Sequence, residues 1–309
     1  MGFRHWLIES GERFRTESPS FAAKRSGQEL MEGVLRKIPG RSGDPIWERE
    51  WDVLVILDAC RYDVFSDQYQ GADWLRQLES ITSVGSASPE WMDKTFTSEY
   101  LDQMASTAYV TGNPYSENHA SADTLGLLDE VWRYVWDEDL GTIPPKPLTN
   151  QAVKHYRTGE YNRLIVHYMQ PHWPYITDPL MYGFDPEHVT GEGSTQNPFD
   201  RQNRGNLSRA DHMERYTSNL EYVTDHVRET LLTAIDADTV AITADHATLF
   251  GEYGLYKHPT NVPLPALRRV PWAVTSASHT SDFEPRELTN NQSEINTSRE
   301  EQLRNLGYL

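Results

Sequence analysis

Several short runs of apolar residues predict the strands of a buried parallel sheet. The runs at 52–57, 163–168 and 239–243 are nearly continuous, and β-branched residues are frequent in them. Parallel strands that are covered on both faces show this pattern rather than strict alternation. A shorter run at 108–111 predicts a further strand. The run at 270–274 predicts an edge strand, because it contains a proline, which a sheet tolerates mainly at its edge.

Helical periodicity is clearest over residues 210–234. Apolar side chains recur there at three- and four-residue spacing, as in a helix with one face in the core. They are Met213, Tyr216, Leu220, Val223, Val227 and Leu231. Shorter helices are predicted at 27–37 and 299–306 and from Ser88 to about residue 105, and the stretch 120–160 is predicted as mixed helix and loop. Strands that alternate with helices predict an α/β fold with a mostly parallel central sheet flanked by helices.

The chain is predicted to comprise one large domain with an N-terminal appendage. Residues 1–45 are polar and relatively basic, and a Gly/Pro-rich break closes them. Residues 46–309 are predicted to form the α/β domain. Within it, residues 176–209 are rich in Gly, Pro, Asn and Asp, which is typical of a surface insertion that could cover a binding site.

The net charge of −18 is spread along the whole chain. Acidic residues number 46 against 28 basic ones, and 22 of the basic residues are Arg and only six are Lys. This composition is typical of halophilic proteins, because concentrated salt screens the repulsion between acidic groups. It argues against nucleic-acid binding, which needs a basic face.

Cysteine usage and hydropathy suggest a cytoplasmic protein. Cys60 is the only cysteine, so no intramolecular disulfide can form. The first residues lack the apolar segment of a signal peptide. No apolar run approaches the ~18 residues of a membrane-spanning helix, so no membrane span is predicted.

Carboxylates stand directly after two of the predicted strands. Asp58 follows the first strand, and Asp245 with His246 follows the strand at 239–243. Ligands of open α/β sheets bind beyond the carboxyl ends of strands, so these side chains are predicted to meet. Taken separately, Asp58 could cap the next helix, and the Asp-His pair could be a solvated turn. Together they suit Zn²⁺, Mn²⁺ or Mg²⁺, or Ca²⁺ if more oxygens join.

Further imidazoles and a lysine extend this candidate site. His167 and His172 stand at the end of a third predicted strand, and prolines on both sides of His172 restrict its loop. Lys257 and His258 close the glycine-containing loop that follows the Asp-His pair. These groups could neutralise a tetrahedral oxyanion and protonate a leaving group.

Two serines compete as nucleophile. Ser88 precedes Pro89, which predicts an N-cap followed by a proline at the first helical position. A hydroxyl there lies in the positive potential of the helix terminus, and a nearby metal would activate it further. Ser86 lies close enough in sequence to serve instead.

Three segments together resemble the alkaline phosphatase superfamily and, within it, the sulfatase-like branch. They are the strand ending at Asp58, the Pro-His-Trp-Pro-Tyr stretch at 171–175, and the stretch from Thr243 through Asp245-His246 to Lys257-His258. Residues 269–272 and the tail at 302–309 are similar to the same branch. The resemblance spans roughly residues 50–309 and implies a three-layer α/β sandwich.

The resemblance also implies residue roles. Asp58, Asp245 and His246 would bind a divalent metal. His172, Lys257 and His258 would contact the ester group, or the two histidines would bind a second ion, as in two-metal members.

Departures from the family pattern narrow the expected chemistry. Formylglycine sulfatases have a Cys-x-Pro-Ser-Arg motif, and this chain has none; Cys60 directly follows the first metal-ligand region. Phosphatase-like members use Ser or Thr, but neither serine has the usual spacing to proline. Where many members have Asp-His-Gly-Glu, this chain has Ala247-Thr248 after the Asp-His pair. A one-metal site or a decayed site therefore both remain open.

The predicted function is a metal-dependent hydrolase, or a phospho-group transferase, with a serine nucleophile. Its substrate would be an anionic ester, phosphate rather than sulfate, that could be linked to a glycan or lipid. The alternative is a decayed member of the fold that binds an anionic glycan or a partner. The intact ligand set favours the first hypothesis, and the irregular nucleophile segment favours the second.

Overall fold

The computed structural model describes residues 11, 15, 18–40, 42–178, 197–286, 288 and 297–307. The strands in these ranges are β1 (Val53–Leu57), β2 (Gln77–Thr82), β3 (Thr107–Thr111), β4 (Leu127–Glu130), β5 (Arg163–Tyr168), β6 (Ala237–Thr243), β7 (Leu249–Phe250), β8 (Tyr256–Lys257) and β9 (Arg269–Ala277). Seven of them form one sheet in the order β2-β9-β6-β1-β5-β3-β4, and β7 pairs with β8.

Helices flank this sheet. They are α1 (Pro19–Leu35), α2 (Tyr62–Tyr69), α3 (Ser88–Thr95), α4 (Leu101–Ala105), α5 (Ser116–His119), α6 (Pro145–Thr158), α7 (Pro198–Asn203), α8 (Arg209–His226), α9 (Leu232–Ala234), α10 (Pro265–Arg268) and α11 (Arg299–Asn305). Single turns of 3₁₀-helix lie at Ile46–Glu48, Ser98–Tyr100, Val131–Arg133 and Glu252–Gly254.

The centre of the sheet confirms the predicted mostly parallel α/β fold. Strands β6, β1, β5, β3 and β4 are parallel neighbours, and in this seven-stranded sheet β9 alone runs opposite to the other strands. Every residue of β1 is buried, as its continuous apolar sequence predicts. Ile56 of β1 lies opposite both His167 of β5 and Thr243 of β6. The carboxyl ends of the three strands therefore lie side by side.

The prediction that residues 270–274 form an edge strand is wrong. β9 lies between β2 and β6, and its ladder with β6 ends at the pair Ala273–Ile242, before Pro271 is reached. Beside the proline, the hydroxyl of Thr243 donates to the Pro271 carbonyl at 2.6 Å. The ladder with β6 thus ends before it would need an N–H from Pro271, so an interior strand can accommodate the proline.

The edge strands β2 and β4 were not predicted from the sequence. β2 is mostly half-buried and has mixed polar and apolar residues. β4 falls within the stretch 120–160, whose apolar residues were predicted to belong to mixed helix and loop. All four of its residues are half-buried. A short, partly exposed strand has too weak an apolar pattern to be distinguished from a loop.

The long helix before β6 is confirmed, although it is not uniform. α8 continues into one π-helical turn at Val227–Leu231 and then into α9. Of the predicted stripe, Met213 is half-buried and the other five side chains are buried. The helix packs this face into the main core and connects directly to the strand that carries the candidate site.

The boundaries at residues 45, 176 and 209 stay predictions. α1 contacts the domain, so the described part of the N-terminal segment is docked on it. Of the predicted insertion, residues 179–196 lie outside the described residues, and α7 forms part of the remainder. The predicted C-terminal helix is present as α11, and Ser298 and Glu301 form a capping box at its start.

No helix in the described ranges combines the length and the apolar content that crossing a bilayer requires.

Buried His212 is expected to make stability fall below neutral pH. Its Nε2 lies 2.8 Å from the Tyr175 hydroxyl, and its Nδ1 lies 2.7 Å from Oε1 of Gln202. Burial, with a smaller effect of Arg215, lowers the pKa of His212 to about 3 from an ordinary value of 6.5. Because the unfolded chain then binds a proton that the native protein does not, this contribution to stability is complete above pH 6.5 and is lost as the pH falls towards 3.

Between pH 7 and pH 5 the contribution of His212 to the free energy of unfolding should fall by about 2 kcal/mol. Urea unfolding at both pH values would measure it in the wild type and in the His212→Gln variant. The variant should lose about 2 kcal/mol less over this interval. An equal loss in both proteins would assign the pH dependence to other groups.

Candidate active site

The ends of β1, β5 and β6 build the candidate site. The backbone N–H of Asp58 donates to the carbonyl of Tyr168 at 3.0 Å, which joins the ends of β1 and β5. The backbone N–H of Ala59 donates to Oδ1 of Asp245 at 3.2 Å, which joins the ends of β1 and β6. Ala59 has a φ of 60°, so the chain turns immediately after Asp58. These contacts place the two predicted carboxylates side by side.

Asp58, Asp245 and His246 converge as predicted. Each offers one ligand atom, and the three atoms lie within 4.8 Å of one another. Nε2 of His246 lies 3.7 Å from Oδ1 of Asp58 and 3.4 Å from Oδ2 of Asp245. All three residues are fully buried. The structure thus brings together the three residues for which the sequence predicts metal binding.

The hydrogen bonds of His246 indicate what these groups can bind. Its Nδ1 lies 2.9 Å from the carbonyl oxygen of Ala247, which can only accept a hydrogen bond. Nδ1 therefore has the proton in the neutral ring, and the lone pair of Nε2 faces the two carboxylates. Three electron-rich atoms that face one another in a buried space favour a cation between them. Two carboxylates and an imidazole suit a divalent metal such as Zn²⁺ or Mn²⁺.

Two further polar side chains complete the surroundings of the carboxylates. The side-chain amide of Asn113 donates to Oδ2 of Asp58 at 2.8 Å. Nε2 of His167 lies 3.7 Å from Oδ2 of both Asp58 and Asp245. Among the described residues, neither this Nε2 nor Oδ2 of Asp245 makes a hydrogen bond, although both are buried. Polar atoms buried in this way are a second indication of a bound cation.

His167 was predicted to belong to the site, but not to lie against the two carboxylates, and Asn113 was given no role. A usable signal existed for Asn113. It lies two residues after the predicted strand at 108–111, which becomes β3, a parallel neighbour of β5. The same rule that selected Asp58 and Asp245 would have selected it, had the neighbours in the sheet been known.

Ser88 points into the site. It is the first residue of α3, and Ala87 rather than Ser88 has the extended N-cap conformation. The predicted cap is therefore displaced by one residue, which leaves the Ser88 hydroxyl available for other contacts. Its Oγ lies 3.2 Å from Nε2 of His246 and 3.5 Å from Oδ2 of Asp58.

Ser86 points elsewhere. Its Oγ donates to Oε2 of Glu90 at 2.7 Å or to the carbonyl of Pro259 at 3.0 Å. The same oxygen accepts from the backbone N–H of Val262 at 3.2 Å. These bonds tie the start of α3 to the loop after β8, so the contacts of Ser86 are structural. Of the two candidate serines, only Ser88 contacts the predicted metal ligands.

His172 and His258 form a pair beside His246. Their Nε2 atoms lie 3.0 Å apart, and the ring centroids of His246 and His258 lie 4.6 Å apart. Nδ1 of His172 contacts the carbonyl of Trp173, so His172 has its proton on Nδ1 and accepts a hydrogen bond from His258. The backbone N–H of His172 also donates to the Asp58 carbonyl at 3.1 Å. The two predicted imidazoles therefore lie against the metal-ligand cluster.

Lys257 does not enter the site directly. It has a φ of 65°, and its Nζ lies 3.7 Å from Oδ2 of Asp200. Its positive charge still acts on the imidazole pair, because it helps to lower the pKa of both His172 and His258. Lys257 is thus a charge near the site rather than a contact within it.

Burial sets the protonation of the remaining groups. It lowers the pKa of His172 to about 3 and that of His167 to about 4, so both rings are neutral near pH 7. Burial alone would raise the pKa of the Asp245 carboxyl, but the imidazoles of His246 and His167 act against it, and the pKa lies below its usual value. Near pH 7 the Asp245 carboxyl is therefore ionised, and the rings of His167 and His172 are neutral.

Cys60 lies outside this arrangement. It is fully buried, and burial together with Asp63 raises the pKa of its thiol well above the ordinary value. A buried, protonated thiol is a packing residue rather than a nucleophile.

Comparisons with known proteins give a likeness of structure alone. No family model matches the sequence, and no curated protein matches it. The soluble domain of lipooligosaccharide phosphoethanolamine transferase A from Neisseria meningitidis is 12% identical and has a TM-score of 0.51, over 73% of this chain and 75% of that one.

Two further structures are more distant. The integral membrane protein lipooligosaccharide phosphoethanolamine transferase A from Neisseria meningitidis is 12% identical, over 99% of this chain and 64% of that one, with a TM-score of 0.49. The lipoteichoic acid synthase LtaP from Listeria monocytogenes is 12% identical, over 83% of this chain and 72% of that one, with a TM-score of 0.38. Scores this low support no argument about the chain.

The likeness to the soluble transferase domain agrees with the mostly parallel sheet flanked by helices. At 12% identity it shows that the chain shares the fold of that domain.

Proposed function

We propose that this protein transfers a phospho group from a phosphate ester to water or to an alcohol, with Ser88 as the nucleophile. The observation on which the proposal rests is the position of the Ser88 hydroxyl, 3.2 Å from Nε2 of His246 and 3.5 Å from Oδ2 of Asp58. A hydroxyl among metal ligands is the arrangement that activates serine for attack. The similar structure from Neisseria meningitidis is of a phosphoethanolamine transferase, which supports transfer of a phospho group.

Asp58, Asp245 and His246 would hold one divalent metal ion. Zn²⁺ or Mn²⁺ suits this mixed oxygen and nitrogen set better than Ca²⁺, which prefers more oxygen ligands. When bound, the ion would lower the pKa of the nearby hydroxyl and stabilise negative charge on a phosphoryl oxygen. Asn113 and His167 would orient the carboxylates by hydrogen bonding to them or lying against them, which is the usual role of groups around metal ligands.

Ser88 would attack the phosphorus in line with the departing ester oxygen. The Oγ–P bond forms, the bond from phosphorus to the leaving oxygen breaks, and a phosphoserine remains. Water or an alcohol then attacks the same phosphorus, which releases the Ser88 oxygen and the product. Because Ser88 is the first residue of α3, the N-terminus of that helix adds positive potential where negative charge develops.

The His172–His258 pair would bind the phosphoryl group and supply a proton to the leaving oxygen. Both rings are neutral before substrate binds, and the hydrogen bond between them fixes their orientation. A bound dianion would favour a proton on this pair. The nearby charge of Lys257 would add attraction for the anion.

Phosphate is the favoured ester. Sulfatases of this branch depend on a modified cysteine, and the only cysteine here is buried and protonated. The substrate class we propose is therefore an anionic phosphate ester, linked to a glycan or a lipid.

An assay of model esters tests this proposal. The purified protein, in high salt, should cleave nitrophenyl phosphate or bis-nitrophenyl phosphate when Zn²⁺, Mn²⁺, Mg²⁺ or Ca²⁺ is supplied in turn. A chelator should remove the activity, readdition of the effective metal should restore it, and nitrophenyl sulfate should remain intact. An added alcohol that diverts product from inorganic phosphate would identify transfer rather than hydrolysis.

The proposal would be wrong if no ester were turned over and elemental analysis found no metal in the purified protein. That outcome would favour the decayed, anion-binding alternative.

A further inference from the structure

A stripe of apolar side chains on α1 and the residues that follow it faces outwards. Leu30, Met31, Val34 and Ile38 are 49%, 44%, 56% and 51% exposed. They are four of the seven exposed large hydrophobic side chains among the described residues. At 100° per residue Leu30, Met31 and Val34 fall on one side of α1, and Ile38 is exposed three residues after the helix ends; these four residues are here called the outer stripe.

α1 is attached to the domain by its other side. Ala22 and Ser26 are buried, and the side chain of Gln28 donates to the carbonyl of Gly254 at 2.6 Å. Nε of Arg36 donates to the carbonyl of Thr260 at 3.1 Å. A surface helix of a globular protein normally turns its apolar face inwards. Leu35 of α1 packs inwards against the small core cluster of Leu249, Leu255, Val262 and Leu267. The outer stripe is therefore the apolar part of the helix that the domain leaves exposed, and such patches mark interaction sites.

A cavity with basic walls adjoins the outer stripe at Ile38. It has a volume of about 620 Å³, and its walls include Arg36, Ile38, Glu90, Lys94 and Arg268. Its lining contains three basic residues and one acidic residue, a net charge of +2. Here it is called the cationic pocket. It lies apart from the metal-ligand cluster, none of whose residues lines it.

Glu90, the acidic residue of the pocket lining, would not repel a bound anion. Oε2 of Glu90 accepts from the backbone N–H of Ser86 at 2.8 Å and from that of Asn261 at 3.0 Å. Its other oxygen pairs with Lys94 at 2.5 Å. The carboxylate is therefore neutralised by its own contacts. Arg268 is 7% exposed and donates from Nε to the carbonyl of Ser83 at 2.8 Å, which fixes its guanidinium in the wall.

The charge distribution along the chain also favours an anionic partner for the N-terminal segment. Residues 1–45 contain eight basic and six acidic side chains, a net charge of +2, which leaves −20 for residues 46–309 of the total of −18. An anionic surface would thus repel residues 46–309 more strongly than the N-terminal segment. Phe3, Trp6 and Phe14 in the same segment are of the type that anchors at membrane interfaces.

We propose that the outer stripe and the cationic pocket together dock the protein onto an anionic phospholipid surface. The outer stripe would enter the boundary between head groups and acyl chains, and a phosphate head group would occupy the cationic pocket. A stable dimer would need roughly 800 Å² from each copy, far more than four half-exposed aliphatic side chains provide. Weak, reversible membrane binding needs no such area. The proposal does not depend on the enzymatic activity.

Vesicle flotation tests the docking. The full chain should float with vesicles of phosphatidylcholine and phosphatidylglycerol in equal amounts, and much less with phosphatidylcholine alone. Val34→Asp should lower the partition coefficient about tenfold, because one apolar side chain can no longer be buried. Leu101→Asp is the matched control: Leu101 is 43% exposed on α4, outside the outer stripe, and the change in charge is the same. It should float like the wild type.

A single fluorescent label distinguishes the possible occupants of the stripe. Cys60 is buried, so Val34→Cys gives one accessible thiol for a polarity-sensitive dye. We expect the emission of the dye to shift to the blue only when anionic vesicles are added. Glycerol phosphate should reduce this shift, because it competes for the cationic pocket. Melting curves would establish that both aspartate variants are folded.

Three outcomes would overturn the proposal. The first is failure to float with any vesicle. The second is a blue shift that grows with protein concentration without lipid, which would identify a second copy as the occupant. The third is a blue shift already present in dilute protein without lipid, which would identify the N-terminal residues of the same chain.

Discussion

Replacing Ser88 with alanine is expected to lower phosphate-ester turnover by roughly 10³-fold or more, because no other described hydroxyl contacts both Asp58 and His246. The fold should survive, since the backbone of Ser88 forms the first turn of α3 and alanine is compatible with that position. Turnover of nitrophenyl phosphate would be measured with the effective metal at saturation.

Ser86→Ala is the matched control. It lies two residues away and removes the same hydroxyl, but that hydroxyl bonds to Glu90 and receives the Val262 N–H. We expect turnover to persist while stability falls by about 1–3 kcal/mol, because a buried donor and a buried carboxylate lose a partner. An inactive Ser86→Ala beside an active Ser88→Ala would reverse the assignment, and two active variants would exclude serine catalysis.

Quenched reactions add a direct readout. Acid quenching during turnover, followed by peptide mass spectrometry, should find a phosphoryl group on the peptide that contains Ser88. The adduct should be absent from Ser88→Ala.

Replacing Asp245 with asparagine should weaken metal binding without unfolding the protein. Its Oδ1 accepts from the backbone N–H groups of Ala59 and His246 at 3.2 and 2.9 Å, and an amide oxygen can accept both bonds. Because the lowered pKa of Asp245 means that the native protein favours the ionised carboxyl, the metal-free variant should be somewhat less stable than the metal-free wild type, although still folded. Its affinity for metal should fall by roughly 10²-fold, and turnover should fall with it.

Thermal unfolding with and without metal measures this effect. In the wild type, metal at about 100 times its Kd should stabilise the native state by about 2.7 kcal/mol, and Asp245→Asn should show almost none of this increase. Elemental analysis of the purified proteins gives an independent readout.

Asp178→Asn is the control for the loss of a buried carboxylate. Asp178 is 7% exposed and pairs with Arg215 at 2.8 Å, away from the cluster. The variant should be less stable with and without metal, and the increase caused by metal should persist. If Asp245→Asn kept the full metal-dependent increase in stability, the metal would bind elsewhere, and the proposed metal site would be wrong.

The sequence by itself determined the parallel centre of the sheet and the first half of the site. β1 and β6 were predictable because burial on both faces leaves a continuous apolar run, and this run is a local property. The change from apolar residues to Asp58, and to Asp245-His246, marks the strand ends directly. A strand that ends in a carboxylate next to an imidazole needs no knowledge of distant residues to be noticed.

Only the tertiary structure decided which strands are neighbours. β9 lies inside the sheet because β2 pairs with its outer edge. The two strands are nearly two hundred residues apart, and neither sequence alone predicts that they pair. The role of Asn113 has the same origin, because it reaches Asp58 through the pairing of β3 with β5 and of β5 with β1.

The tertiary structure also decided the direction of each side chain. Ser86 and Ser88 are equivalent by composition, yet one binds Glu90 and the other contacts His246, since packing at the start of α3 sets which way each hydroxyl points. The apolar positions of α1 predicted a helix, but not that Leu35 would face the domain while Leu30, Met31 and Val34 would stay exposed. Periodicity fixes which residues share a face, and only the surroundings fix where that face points.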